Sequence, residues 1–225
     1  MQLTVHEAAE LLNVDDRNVL RWIKKEGLPA HKVNEVYRIN RIDLLEWATE
    51  HRMKLSPEIF ARLESAQEPL PRISEALEAG GIHYGIAGGD QQTVLRNIVG
   101  LVKLPPEADR EFLLQVLLAR EALGTTAIGD GIAIPHVRNP ILLHGVRPTI
   151  TLTFLAQPID FKAIDGKPVD ILFTLITPTP RVHLHILSKL AYLLRDTRLQ
   201  AVLKRRGAAA EIMATIREIE TELAV

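Results

Sequence analysis

Apolar residues recur at steps of three and four through most of this chain, and the places where that rhythm breaks divide it. Near the start, Ala8, Leu11 and Leu12 share one helical face behind Thr4, a residue suited to cap a helix start. Asn13-Val14 reads as a tight turn, Asp15 or Asp16 as the next cap, and Val19, Leu20 and Ile23 as the buried side of a second helix. That helix is expected to stop near Gly27, with Pro29 just beyond. HKVNEVYRIN reads as two short strands around a turn at Asn34-Glu35, and IDLLEWATEH as a third helix capped by Asp43. Residues 55–71 contain three prolines, lose the pattern at their ends and read as a linker.

Beyond the linker, RISEALEAG, QQTVLRNIVGLVKL and PEADREFLLQVLLAREAL have the apolar spacing of amphipathic helices. PTITLTFL and VDILFTLI are strand-length and β-rich, and three further helices begin near Pro180, Thr197 and Ala208. Helices and strands interleave, so the expected fold class is α/β, in which a helix-flanked sheet over residues 72–225 follows a small unit over residues 1–54.

Composition narrows the class without changing this picture. Among 225 residues, 47% are hydrophobic and the formal net charge is −1, which excludes a disordered or strongly basic chain. The absence of cysteine excludes disulfides, thiolate nucleophiles and cysteine metal sites. MQLTVHEAAELLNVDDRN has no signal-like core, and no run approaches the roughly 18 apolar residues of a membrane span. The expectation is a cytoplasmic protein with no membrane insertion.

Chemistry concentrates in GTTAIGDGIAIPH, Gly124 to His136. Gly124-x-x-x-x-Gly129 begins like a nucleotide phosphate loop, but Asp130-Gly131 follows where lysine and a hydroxyl residue are required, which argues against ATP. Ile132, Ala133 and Ile134 read as a short buried strand, and Pro135 stiffens its end and leaves His136 there with little freedom. A neutral imidazole is a competent nucleophile near pH 7, and its phosphoramidate passes a phosphoryl group onward without a metal. The glycine-rich turn is expected to offer backbone N–H groups to the phosphate.

The run Glu121…Ile128-Gly129-x-x-Ile132-Ala133-Ile134-Pro135-His136 resembles the phosphorylation motif of enzyme IIA domains, in the fructose/mannitol/nitrogen (type 2) class of the bacterial phosphotransferase system. The resemblance runs from about residue 70 to the C-terminus and includes Ala119-Arg120-Glu121, Thr126, AIDGKPVDILFTLITP and His183-Leu184. It implies a mixed sheet flanked by helices, with His136 phosphorylated by a phosphocarrier protein and supported by Arg120, Thr126 and His183. Arg120 keeps its charge and pairs with phosphate oxygens through two N–H groups. Thr126 is expected to supply a hydroxyl donor, and His183 to bond the phosphoryl group or orient His136. The family usually has a small residue where this chain has Val137. His183 and His185 lie about 200° apart on a helix, so they form no joint metal site, and His136 with His183 lacks a third ligand. No cofactor and no metal are expected.

The first 54 residues resemble the winged helix-turn-helix of excisionases and MerR-type proteins, through Thr4, Glu7-Ala8-Ala9, Leu12, Arg21-Trp22-Ile23, Leu28-Pro29, Tyr37-Arg38-Ile39 and Asp43-Leu44. The resemblance implies DNA contacts from Arg17, Asn18, Arg21, Lys24 and Lys25 on the second helix, with Lys32 and Arg38 on the wing. Residues 1–60 hold nine Lys/Arg against ten Asp/Glu, so the unit is not broadly basic, and a protein-docking role stands beside DNA binding. A single small unit reads little sequence, so a homodimer or second factor is expected. Three readings follow for the whole chain. The leading one is a nitrogen-type phosphohistidine regulator with a DNA-directed output. The others are a sugar-transport subunit passing phosphate to a IIB component, and a transcription factor whose IIA-like domain no longer transfers phosphate.

Overall fold

The computed structural model describes residues 2–33, 36–51, 53, 70–104, 108–137 and 147–223. The N-terminal unit runs β1 (Gln2–Leu3), α1 (Val5–Leu12), α2 (Asp16–Lys25), β2 (His31–Val33), β3 (Val36–Asn40) and α3 (Arg41–Glu50). Thr4 caps α1 reciprocally with Glu7: the hydroxyl accepts from the Glu7 N–H at 3.2 Å and the Glu7 carboxylate accepts from the Thr4 N–H at 2.7 Å. Asn13 then takes a left-handed conformation, φ 52°, which ends the helix. Asp15 is the N-cap residue of α2 without a side-chain cap bond, and Asp16 instead meets His6 at 3.2 Å. The helix α3 starts at Arg41, so Asp43 lies inside its first turn, where a carboxylate is favoured by the helix dipole.

The small sheet has the order β1-β3-β2, all antiparallel. Under it Ala8, Leu12, Val19, Ile39, Leu44 and Leu45 are buried together with Trp22 and Trp47, whose ring centroids are 5.0 Å apart. Leu20 and Ile23, expected in this core, are half-buried, and Ile23 packs against its edge. The expected turn at Asn34-Glu35 and most of the linker lie outside the described residues.

The C-terminal unit runs α4 (Ile73–Gly80), β4 (Ile82–Ile86), α5 (Gln91–Leu101), α6 (Arg110–Leu123), β5 (Ala127–Gly129), β6 (Ile132–Ala133), β7 (Thr149–Ile159), β8 (Val169–Ile176), α7 (Pro180–Leu193), α8 (Thr197–Lys204) and α9 (Ala209–Leu223). Its five-stranded sheet has the order β4-β7-β8-β6-β5, with β4/β7 and β6/β8 parallel and the other two pairs antiparallel. The mixed sheet agrees with the sequence reading; β4 is an edge strand that the sequence pattern did not disclose.

Alternation along the central strands builds two cores, one on each face. Leu152 and Phe154 of β7 and Ile171 and Phe173 of β8 face α4, α7, α8 and α9, whereas Leu155 and Leu172 face α5 and α6. The helix α4 passes so close to β7 that a Cβ on Gly80 would stand 2.2 Å from the Ile150 carbonyl oxygen, which explains the glycine. Among the described residues no helix is long and apolar enough to cross a membrane.

The glycine segment is a hairpin. Asp130 (φ 53°) and Gly131 (φ 79°) form the two-residue connection between β5 and β6, a conformation that Asp-Gly adopts readily. Its Asp130 N–H donates to Asp165 at 2.8 Å, and Lys167 pairs with the Asp130 carboxylate at 3.0 Å. This turn and His136 are at opposite ends of β6, so the expected cradle of glycine N–H groups around the histidine is not formed.

The two units touch. Leu184 of α7 joins the hydrophobic core of the N-terminal unit, and α3 lies against α7. Arg195 also donates to the Met53 carbonyl at 3.4 Å.

Candidate active site

Three elements of the C-terminal unit deliver three basic side chains to one point. His136 leaves β6 through Pro135, whose carbonyl accepts from the Leu175 N–H at 2.9 Å, and His136 itself bridges to Leu175 of β8. The ring nitrogen Nδ1 is 2.7 Å from the Ile134 carbonyl oxygen. A carbonyl only accepts, so Nδ1 carries hydrogen and Nε2 faces the cleft.

Arg120 occupies the last turn of α6, where a cation is favoured by the helix dipole. Its Nη1 donates to the Gly124 carbonyl at 2.9 Å and its Nε lies 3.3 Å from His136 Nε2.

His183 stands in the first turn of α7, behind the Thr179 cap and Pro180. Its ring is tilted against that of His136 with centroids 5.1 Å apart, and its Nδ1 is 3.4 Å from the Thr177 hydroxyl. The Nε2 atom is buried without a hydrogen-bond partner. Complete burial, then the positive charge at His136 and Arg120, holds His183 down to about 3, so it is neutral at physiological pH.

Thr126 is beside the cluster, but its hydroxyl is already committed. It donates to Glu121 Oε1, and the Thr126 N–H donates to Oε2 of the same carboxylate at 3.1 Å. Gln91 donates to that oxygen as well, at 3.1 Å. Thr126, expected to give a hydroxyl donor to a ligand on His136, directs it at Glu121 in this structure. Its carbonyl accepts from the Ile134 N–H at 3.0 Å and registers β5 on β6. Burial raises the Glu121 carboxyl, opposed by the two bonds from Thr126. Val137 packs in the core between the sheet and α5/α6 and is 4% exposed.

The fourth member comes from the other unit. Glu46, in the middle of α3, places Oε1 3.0 Å from His136 Nε2 and 3.9 Å from His183 Nε2, and Oε2 3.2 Å from Arg120 Nη2. Glu46, His136 and Arg120 are all at least nine-tenths buried. Burial by itself raises the Glu46 carboxyl, but the hydrogen bond and charge at His136 and the charge of Arg120 bring it down to about 2. At 3.0 Å an unprotonated ring nitrogen and a carboxylate oxygen would be two acceptors face to face. This contact therefore places a proton between them.

Sequence reasoning missed Glu46 and left open whether the units meet. Donor atoms of Glu46, His136 and His183 lie within 4.8 Å of one another, so the third ligand that the C-terminal segment lacked is present in space. Arg120 contacts both Glu46 and His136, and its fixed positive charge suits the cluster to an anion better than to a cation.

Residues expected at DNA lie elsewhere on the small unit. Arg17, Arg21, Lys24, Lys25 and Lys32 are exposed, and Asn18 and Arg38 are half-buried. Arg21 pairs with Glu26 at 3.1 Å, and Lys32 lies 5.4 Å from the centre of the Tyr37 ring.

A mixed sheet that presents a histidine at a strand end, beside a helix-terminal arginine, defines a IIA-type domain. Residues 75–219 match the family described as phosphoenolpyruvate-dependent sugar phosphotransferase system, EIIA 2, and the chain belongs to that family. Residues 3–52 match a helix-turn-helix domain. The chain is 39% identical over 127 residues to a nitrogen regulatory protein of Pseudomonas aeruginosa, covering 55% of this chain and 80% of that one. It is 42% identical over 106 residues to a nitrogen regulatory protein of Bradyrhizobium diazoefficiens, covering 45% of this chain and 64% of the other. The crystal structure of nitrogen regulatory protein IIA-Ntr from Neisseria meningitidis superposes with a TM-score of 0.57 at 29% identity, over 64% of this chain and 98% of that one.

Proposed function

We propose that the chain is a phosphohistidine regulator of the nitrogen-type phosphotransferase system, in which His136 accepts a phosphoryl group from a phosphocarrier protein. The observation that carries this reading is the orientation of His136. Its Nδ1 is tied to a backbone carbonyl, so Nε2 is the nucleophilic atom, and Nε2 is the atom beside Arg120 and His183. In the transfer, the N–P bond of the donor's phosphohistidine breaks and an N–P bond to His136 Nε2 forms. The donor imidazole keeps the bonding pair, and no oxidation or reduction occurs.

Each neighbour then has a part. Arg120 meets phosphoryl oxygens with its Nε and Nη2 donors. His183, with Nδ1 accepting from the Thr177 hydroxyl, turns an Nε2–H toward the same oxygens. Such a small set suffices because phosphoryl transfer depends mainly on alignment and charge stabilisation. Similarity to nitrogen regulatory proteins favours regulation over sugar uptake, and the exposed basic face of α2 supports DNA as the output.

Phosphorylation by purified enzyme I and phosphocarrier protein from the host, followed by intact mass, tests the reading. Wild type gains one acid-labile phosphoryl group and His136→Gln gains none. A folded wild type that stays unmodified would sink the proposal.

A further inference from the structure

The Glu46 carboxylate lies against His136 Nε2, Arg120 and His183, the groups to which the proposed function assigns a phosphoryl group. We propose that Glu46 is a built-in anionic ligand of the phosphoryl site, holding the helix-turn-helix unit on the unphosphorylated domain and leaving when His136 is phosphorylated. The inference rests on the reading of His136 as phosphoacceptor.

The geometry supports it at each contact. Oε1 and Oε2 of Glu46 take the partners that phosphoryl oxygens would take: Arg120 Nη2 at 3.2 Å, with the unpartnered His183 Nε2 at 3.9 Å. A phosphorus atom bonded to His136 Nε2 would stand inside the 3.0 Å gap between that nitrogen and Oε1, so the two ligands exclude one another. Glu46 also blocks the reaction chemically, because the proton it holds on Nε2 removes the lone pair that attacks phosphorus. It blocks access as well: with α3 in place His136 is 3% exposed, beyond the reach of another protein's histidine.

Phosphorylation works in the opposite direction. It adds about two negative charges at the point where a buried carboxylate now sits, and the repulsion drives α3 and its unit away. The coupling is reciprocal, so docking opposes phosphorylation as strongly as phosphorylation opposes docking. Among the described residues the rest of the interface includes Leu184, which joins the N-terminal core, and the Arg195 donation to the Met53 carbonyl at 3.4 Å. It aligns α3 and leaves Glu46 to sense the state of His136.

The test uses the full chain as wild type and as Glu46→Gln, which keeps shape and removes charge. The absence of native cysteine permits a fluorophore pair at Glu10→Cys and Gln92→Cys, both exposed and one on each unit. Phosphocarrier-dependent phosphorylation is timed by intact mass, and the separation of the units is read by energy transfer. Glu46→Gln is expected to be phosphorylated about tenfold faster than wild type. The wild-type separation should widen on phosphorylation, a readout that needs no change at Glu46.

Equal rates, or a phosphorylated wild type that keeps its closed distance, would overturn the inference. If neither form is phosphorylated, the functional reading itself has failed, and energy transfer then judges Glu46 alone. An opened Glu46→Gln would leave a docking anion and overturn its role as a phosphoryl surrogate, and an unchanged distance would overturn both roles.

Discussion

Two helices of the N-terminal unit face different worlds. In α2, Arg17, Arg21, Lys24 and Lys25 are exposed, and the helix buries only Val19 and Trp22. In α3, the five consecutive residues Leu44 to Ala48 are all buried, because its own core covers one side and the C-terminal unit covers the other. The first helix presents cations outward, as a surface for a polyanion does. The second presents one anion to a pocket of bases. On the two proposals above the faces are of opposite sign: α2 meets phosphate and α3 imitates it.

The strongest way to break this contrast is to remove Arg120. It contacts Glu46 and, in the proposed transfer, meets the phosphoryl oxygens, so Arg120→Ala is expected to slow phosphorylation by about two to three orders of magnitude. It should also open the units, because a buried carboxylate stripped of its partner costs about 3–5 kcal/mol. Transfer rate and energy transfer together check both effects. Leu184→Ala comes next. It removes a side chain shared between the units at a cost of about 2 kcal/mol to docking, read as a shift of the opening transition in urea, without slowing phosphorylation. On the other face, Lys24→Ala and Lys25→Ala should each lower DNA affinity similarly for all sequences. Each should flatten the dependence of log affinity on log salt by about one.

The smallest effect is that of acid. The Glu46 carboxyl is held at about 2, against an ordinary 4.5, by His136 and Arg120. Its contribution to docking is therefore complete above pH 4.5 and fades as the pH falls toward 2. His183, depressed to about 3 by burial, weakens the fold of its own unit as pH falls from 6.5 toward 3. Energy transfer in wild type should decline between pH 4.5 and 3, and Glu46→Gln, open throughout, should show no such step.

Much of the C-terminal unit was legible because its residues signal locally. The strands Thr149–Ile159 and Val169–Ile176 are β-rich runs, and the helix at Pro180 opens on Thr179-Pro180, a cap followed by a proline at the first helical position. The convergence of Arg120, His136 and His183 followed from motif positions on separate elements. What escaped was set by tertiary contact. The strand Ile82–Ile86 lies at the sheet edge, with only Ile82 and Ile86 to mark it. The Asp130-Gly131 turn was weighed as a phosphate loop although Asp-Gly is also a hairpin signal. Glu46 was hidden by its own helix, because with Asp43 three residues before it and Glu50 four after, it reads as part of an acidic solvent stripe. Only the neighbouring unit, closing over that helix, buries Glu46.

Glu46 and His136 belong to one polypeptide. Docking is thus a unimolecular event, in which the local supply of carboxylate is fixed by the chain and not by how much protein a cell makes. Dilution leaves the closed fraction unchanged, and overproduction does not saturate it. A switch of the kind proposed keeps a set point independent of its own abundance.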